Sequence, residues 1–199
     1  MGRAAVASVD GRRVRSARTR DAIVEACLAL LDEGDLRPTS AAIATRAGLS
    51  VRSVFQHFAD LEDLFIAVSD RQTNRIAGLY TGVDYSGDLA SRIAVFVGYR
   101  ARLYETIAPI RRAGILHEPF SPIVASRMEL ARTLHRLDIE RAFGGEIDAS
   151  RARGDATLLE ALTAVSSFTV WDEMRRHAHL DIEAASAVLS ATVTALLRA

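Results

Sequence analysis

The chain has 199 residues, 49% of them apolar, which is enough for one or two domains with a sizeable core. Basic and acidic residues balance at 25 each, so net charge alone indicates neither a nucleic-acid nor a membrane partner. Cys27 is the only cysteine, which excludes an intrachain disulfide and a cysteine-based zinc site and favours a cytoplasmic location.

Positive charge is concentrated at the start of the chain, where residues 1–20 contain six arginines and a single acidic residue, Asp10. We predict that residues 1–15 form a disordered basic tail. Whether this tail becomes ordered on a partner stays open.

The pattern of the remaining residues predicts an all-α fold, because alternating strand patterns are absent and only four prolines occur. Apolar residues at helical spacing predict a first helix over about 17–33, with Gly34 and Pro38 typical of its end. Thr39, Ser50, Asp60 and Asp181 are predicted N-caps of later helices. Those helices are predicted over 40–47, 51–57, 61–79, 88–106, 107–115, 121–143, 155–178 and 182–198.

Residues 40–57 have the spacing of a helix-turn-helix. Ala44 lets two steeply crossed helices approach, and Gly48 accepts the positive φ that a tight turn needs. With Val54 and Phe58 turned inward, the other side chains of the short second helix point outward, and a major groove is wide enough to receive such a helix. Double-stranded DNA is therefore the predicted partner. The predicted DNA-binding residues are Ser40, Val51, Arg52, Ser53, Phe55, Gln56 and His57.

Residues 19–65, TRDAIVEACLALLDEGDLRPTSAAIATRAGLSVRSVFQHFADLEDLF, resemble the DNA-binding domain of the tetracycline-repressor (TetR) family. The resemblance includes the Ile43-Ala44 pair, the Ala47-Gly48 turn and the His57-Phe58 ending. A weaker resemblance links residues 166–197 to the last two helices of some members. The resemblance to the family as a whole implies a homodimeric, ligand-responsive regulator, most often a repressor, that binds an inverted-repeat operator.

Two positions depart from the family pattern. Phe55 stands where members usually have Tyr, and Leu61 stands where they usually have Lys. Both changes remove a polar contact to DNA, so we expect a weaker electrostatic part of binding. The arginines of the basic tail could compensate along the backbone or in the minor groove.

We divide the chain into the tail (1–15), a three-helix helix-turn-helix domain (16–60) and a C-terminal helical ligand-binding and dimerisation domain (61–199). The last helix is apolar nearly all round, which predicts that a second subunit covers part of it, although burial within its own subunit is the alternative. The predicted dimer-interface residues are Ala184, Ala187, Leu189, Ala191 and Ala195.

The resemblance also implies a cavity for a small apolar or aromatic effector in the C-terminal domain, while core packing is the other explanation for each candidate. The predicted ligand-binding residues are Phe96, Tyr99, Met128, His135, Phe168 and Trp171.

Enzyme motifs are not found: the sequence has no phosphate loop, nucleophile elbow or zinc motif, and we predict no catalytic residue, metal or cofactor. The alternative function is a helical small-molecule-binding or metabolic protein whose helix-turn-helix-like module contacts proteins. A salt-dependent shift of duplex DNA would distinguish the two.

Overall fold

The computed structural model describes residues 3–80 and 82–198, and the side chains of all of these except 3–10, 12 and 80. The described residues form nine α-helices and one 3-10 turn and no strand, so the predicted all-α class is confirmed. In chain order they are α1 (Arg3–Asp32), α2 (Ser40–Ala47), α3 (Val51–His57), α4 (Leu61–Tyr80), α5 (Leu89–His117), the 3-10 turn (Glu118–Phe120), α6 (Pro122–Ala152), α7 (Leu158–Val165), α8 (Phe168–Arg176) and α9 (Ile182–Arg198).

Helix α1 begins at Arg3, so the expectation of a disordered tail over 1–15 is corrected for residues 3–15. This segment is rich in Ala and Arg, both good helix formers, and no proline precedes position 38. Gly34 ends α1 as predicted, with φ of 96° and an N–H that donates to the Leu31 carbonyl at 3.0 Å.

The four predicted N-caps are confirmed by hydrogen bonds from the first turns of their helices. The side chains of Thr39 and Ser50 accept from backbone N–H groups at 3.1 Å each. The carboxylates of Asp60 and Asp181 do the same at 2.8 and 2.7 Å. Each cap satisfies a helix N–H that has no partner within its own helix.

Three boundaries in the C-terminal half differ from prediction. Pro109 lies inside α5 and does not end it, although a proline removes one helical hydrogen bond. Helix α6 continues to Ala152 through a kink at Phe143, where φ is −133° and ψ is 21°. The single helix predicted over 155–178 is divided into α7 and α8, because the Ser167 side chain caps a new helix by accepting from the Val170 N–H at 3.3 Å.

The chain divides into two compact units, which differ from the predicted domains. The first unit comprises Met1–Arg75 and Pro109–Ala125. Its core contains Leu64 and Val68 of α4 and Ala113 of α5 beside the helix-turn-helix residues, so this compact unit extends beyond the domain predicted over 16–60.

The second unit comprises Ile76–Ala108 and Ser126–Ala199. Its core is built from α5, α6, α7, α8 and α9 with Ile76 of α4. It is rich in aromatic side chains, and the rings of Phe96 and Phe143 meet edge to face with their centres 5.2 Å apart. Within residues 3–80 and 82–198, none of the helices combines the length and apolar character that a membrane crossing requires.

An ion pair holds the second unit together at the α6 kink. Arg92 donates to the Ala142 carbonyl at 2.7 Å and to both carboxylate oxygens of Glu146. The hydrogen bonds from Arg92 lower the pKa of Glu146, while partial burial opposes that shift. Arg92 thereby supplies a donor to a carbonyl just before the point where the helical backbone is interrupted.

We expect Glu146→Gln to lower the free energy of unfolding by about 1 kcal/mol at neutral pH. Because the folded-state pKa is depressed, the stabilisation is present above the ordinary glutamate pKa and is lost as pH falls through the folded-state value. Urea denaturation at neutral and acidic pH measures both effects. The control is Glu129→Gln, whose side chain is 68% exposed beside Arg132; equal effects of the two variants would contradict the prediction.

Candidate nucleic-acid interface

The turn between α2 and α3 has the geometry of a helix-turn-helix. Gly48 adopts φ of 68° and ψ of 32°, the left-handed conformation that glycine accepts without steric cost. Its N–H donates to the Thr45 carbonyl at 3.2 Å, and the Leu49 N–H donates to the Ala44 carbonyl at 2.9 Å. These bonds end α2, and the three residues 48–50 turn the chain into α3.

Helix α3 has only seven residues and is fixed by what lies behind it. Val54 is 1% exposed and belongs to the same core cluster as Ile43, Ala44 and Phe58. An isolated helix of this length is unstable in water, so the core must supply its stability. Because Val54 faces the core, the residues on the opposite side of α3 face solvent.

Arg20 of α1 braces the far end of α3. Its guanidinium donates to the His57 carbonyl at 2.8 Å and lies 4.1 Å from the centre of the Phe58 ring. A cation at a helix C-terminus satisfies a free carbonyl and opposes the negative end of the helix dipole. From the sequence Arg20 is recognisable only as one of the basic residues at the start of the chain, because a contact between positions 37 apart leaves no local signal.

The predicted DNA-binding side chains are all exposed or partly exposed. Val51 and Phe55 are 39% and 46% exposed, and Arg52 and Gln56 are exposed too. The remaining predicted residues are partly exposed: Ser40, Ser53 and His57. The structure therefore brings four exposed side chains of α3 to one surface of the first unit.

Arg52 forms no ion pair with any residue in the described part of the chain, whereas Arg46 on α2 pairs with Glu33. An arginine that no internal carboxylate neutralises is available for phosphate or for the acceptor edge of guanine. The two departures from the family pattern are also on the surface, since Phe55 is exposed and Leu61 is 41% exposed.

Helix α4 is tied to α1 by a second group of charges. Arg71 donates to Glu25 at 2.6 Å and to Asp21, and Arg75 also donates to Glu25. These arginines are neutralised within the first unit, so their positive charge is not offered to an external anion.

Five of the six predicted ligand-binding residues are buried. Their exposed fractions are 1% for Phe96, 3% for Tyr99, 6% for Met128, 5% for Phe168 and 2% for Trp171. Four of them belong to the core cluster of the second unit, and Met128 is not part of it. This burial favours core packing as the explanation for most of the set.

His135 is partly exposed, and its Nε2 lies 3.0 Å from the Ser166 hydroxyl. Near it is Arg100, which is 3% exposed and was not predicted from the sequence. Arg100 donates to Asp138 at 2.7 Å and lies 4.9 Å from the centre of the Phe96 ring. Its Nε has no hydrogen-bond partner among the described residues. An unsatisfied buried donor in an aromatic environment is a candidate for ligand contact.

The α9 residues predicted at a dimer interface divide into two sets. Ala187, Ala191 and Ala195 are exposed and Ala184 is partly exposed, so they are available to a partner. Leu189 is 2% exposed within its own chain, between the buried Ala185 and Val193 of the same helix, and its assignment to the interface is corrected.

We expect Arg52→Ala to weaken binding of the preferred duplex by about 1–3 kcal/mol and to relax the preference at one base pair per half-site. Fluorescence anisotropy with that duplex and single-base variants measures both effects. The matched control is Arg176→Ala, an arginine of similar exposure on α8. If the Arg52 variant binds the duplex with wild-type affinity, the assignment of α3 to the DNA interface is wrong.

A variant of Trp171 tests whether this side chain packs in the core or contacts a ligand. Its indole N–H donates to Glu105 at 2.8 Å, and Glu105 also accepts from Arg175. We expect Trp171→Ala to lower the free energy of unfolding by about 3–5 kcal/mol, the usual cost of truncating a buried aromatic side chain. Urea denaturation measures it, with Val170→Ala, 38% exposed, as the control. Unchanged stability would return Trp171 to the ligand-contact candidates.

Comparison with known proteins gives one sequence match and one structural match. Residues 23–68 match the model described as bacterial regulatory proteins, tetR family. The fold is similar to that of a transcriptional regulator from Rhodococcus sp. Rha1, with a TM-score of 0.69 and 17% sequence identity over 92% of this chain and 96% of that chain. No curated protein gives a significant sequence match. The match over residues 23–68 contains the α2-turn-α3 unit, so this part of the chain is a helix-turn-helix domain of the tetR type.

Proposed function

We propose that the chain is a homodimeric transcriptional repressor that binds an inverted-repeat operator and that a small apolar or aromatic molecule releases from DNA. The observation that carries the proposal is the outer face of α3, where Arg52 is exposed and has no carboxylate partner in the described part of the chain. On this surface Arg52 would read guanine, Gln56 would read an adjacent base edge, and the apolar Phe55 would contact a thymine methyl group.

The proposed dimer rests on the outward face of α9. Val188 is 45% exposed, and the small side chains of Ala187, Ala191 and Ala195 share this exposed part of the helix with it. Small residues allow two helices to approach closely, and apolar area that one chain leaves open gains free energy when a second chain covers it. We propose that α8 and α9 of two subunits form a four-helix bundle.

A twofold dimer explains why the operator would be an inverted repeat. Each subunit presents one α3, and two such helices related by a twofold axis read the same half-site on opposite strands. Half-site centres about one helical turn apart, roughly 34–36 Å, are the usual spacing for such proteins.

For the effector we propose contact with the second unit near Arg100. The free Nε of Arg100 could donate to a carbonyl or similar acceptor of the effector, with Phe96 and Tyr99 beside its guanidinium. Helix α4 continues from the first unit into the second and is a covalent route for a change in position. A coupling of about 1–3 kcal/mol would lower DNA affinity roughly 5- to 150-fold.

Selection of bound duplexes from a random pool tests the proposed function. We expect enrichment of an inverted repeat, with affinity that falls steeply as salt concentration rises. The duplex then serves to screen small molecules that lower its affinity for the protein. Failure to enrich any duplex, under conditions in which the protein is folded, would favour a module that contacts proteins.

We expect Ala191→Arg to convert the dimer to monomers, because it places a charge where two helices would meet. Analytical ultracentrifugation measures the mass, and the monomeric variant should bind the full operator no more tightly than a single half-site. Ala94→Arg, at an exposed alanine of α5, is the matched control and should remain dimeric. A dimer of unchanged stability for Ala191→Arg would move the interface away from α9.

A further inference from the structure

A cavity of about 270 Å³ lies inside the first unit. Its walls come from α1, the loop before α2, α2 itself, the start of α4 and residues 117–124. An apolar cavity of about 150 Å³ is sufficient for benzene, so this one has room for an aromatic ring with a short chain. The outer face of α3 does not contribute to it, so a molecule in the cavity and a DNA duplex on α3 would not occupy the same space.

Most of the cavity wall is apolar. Ile43 and Leu64 are each 1% exposed and belong to the helix-turn-helix core, and Val124 of α6 is 7% exposed. Cys27 also lines the cavity; burial raises the pKa of its thiol to about 12, so it is uncharged at neutral pH. This lining favours a ring or hydrocarbon portion of a ligand.

The side chains of Arg37 and His117 give the cavity one exposed cation and one neutral hydrogen-bond donor. His117 lies against Phe65, with ring centres 4.9 Å apart. Burial, and next the charge of Arg37, lower the pKa of His117, so its ring is neutral at neutral pH and offers one N–H donor. Arg37 forms no ion pair with residues in the described ranges, and only its backbone N–H is engaged, by Asp35 at 3.1 Å.

The negative group in the wall already has a partner. Glu62 accepts a hydrogen bond from the hydroxyl of Ser121, a residue that is 8% exposed. The Ser121 hydroxyl oxygen in turn accepts from the Val124 N–H at 3.2 Å. Glu62 keeps its negative charge, but its carboxylate already accepts from Ser121, whereas the exposed guanidinium of Arg37 has donors left for a ligand, which favours a ligand with an anionic acceptor group.

Phe120 stands beside the cavity with 80% of its surface exposed. An apolar ring of this size that is open to water next to an apolar cavity gains from contact with a bound molecule. It lies in the 3-10 turn between α5 and α6, where a change of side-chain rotamer costs no core packing.

We propose that this cavity binds a small aromatic carboxylic acid. The ring lies among Ile43, Leu64 and Phe65, and the carboxylate accepts hydrogen bonds from Arg37 and His117. Phe120 covers the ring from the solvent side. This site is separate from the effector contact proposed at Arg100, because all of its lining residues belong to the first unit.

Isothermal titration calorimetry on the full chain, without DNA, tests the proposal with three probes of the same skeleton: phenylpropanoate, phenylpropanol and phenylpropylamine. We expect the acid to bind at least tenfold more tightly than the alcohol and the amine to bind weakest. Arg37→Gln should abolish the preference for the acid and leave the affinity for the alcohol unchanged. Arg18→Gln, at an exposed arginine outside the cavity, should have no effect.

Phe120→Ala locates the binding within the chain. It should weaken all three probes by a similar factor of about five, while Phe55→Ala, at an exposed phenylalanine of α3, should weaken none. Both side chains are exposed, so neither variant removes core packing. Circular dichroism confirms that each variant is folded.

Equal affinity for acid and alcohol, or tightest binding of the amine, would overturn the assignment of ligand class. Absence of binding by all three probes, or a Phe120→Ala variant with wild-type affinities, would overturn the site. Because the titration contains no DNA, these outcomes are independent of whether the proposed operator binding holds.

Discussion

The low intrinsic stability of α3 is the constraint that explains the arrangement of the first unit. Helix α3 has seven residues, fewer than an isolated helix needs in water. Ser50 holds its first turn, Val54 anchors its middle, and Arg20 holds its last carbonyl. An N-cap is worth about 1 kcal/mol and a hydrogen bond to a charged group about 1.5–3 kcal/mol. The orientation of the outward side chains is therefore determined by residues that would not touch DNA.

The balance of charge in the composition has a structural explanation in the pairing of arginines. Arg71 is neutralised by acids of α1, Arg92 by Glu146, and Arg175 by Glu105. These pairs join helices within each unit, so the positive charge of these three arginines is not available to an external anion. Net charge consequently says little about nucleic-acid binding here, whereas the location of an unpaired arginine such as Arg52 says more.

Local features of the fold were predictable from the sequence because short-range rules govern them. The caps at Thr39 and Asp60 and the positive φ at Gly48 depend on neighbouring residues, and they are confirmed. The outward face of α3 followed from the inward direction of Val54, since helical periodicity determines one face from the other.

Features that depend on distant residues were missed or wrong. The contacts of Arg20 with His57 and of Arg100 with Asp138 join positions 37 and 38 apart, and no sequence window contains both partners. Leu189 was assigned to a dimer interface because periodicity shows that a helix face is apolar, but not which neighbour covers it. The start of α1 was missed because a high content of arginine was read as disorder, although arginine is a good helix former.

The helical form of the N-terminal segment limits what its arginines can recognise. Arg13, Arg15 and Arg18 are exposed side chains of α1. An α-helix is about 10–12 Å across with its side chains, whereas the minor groove of B-DNA is about 6 Å wide. While α1 stays helical its backbone cannot lie inside that groove, so on DNA its arginines would approach from outside and would meet the phosphates along the rim first. Phosphate contacts position a protein without identifying bases, so the segment would strengthen attachment to every sequence equally and shorten the search along DNA.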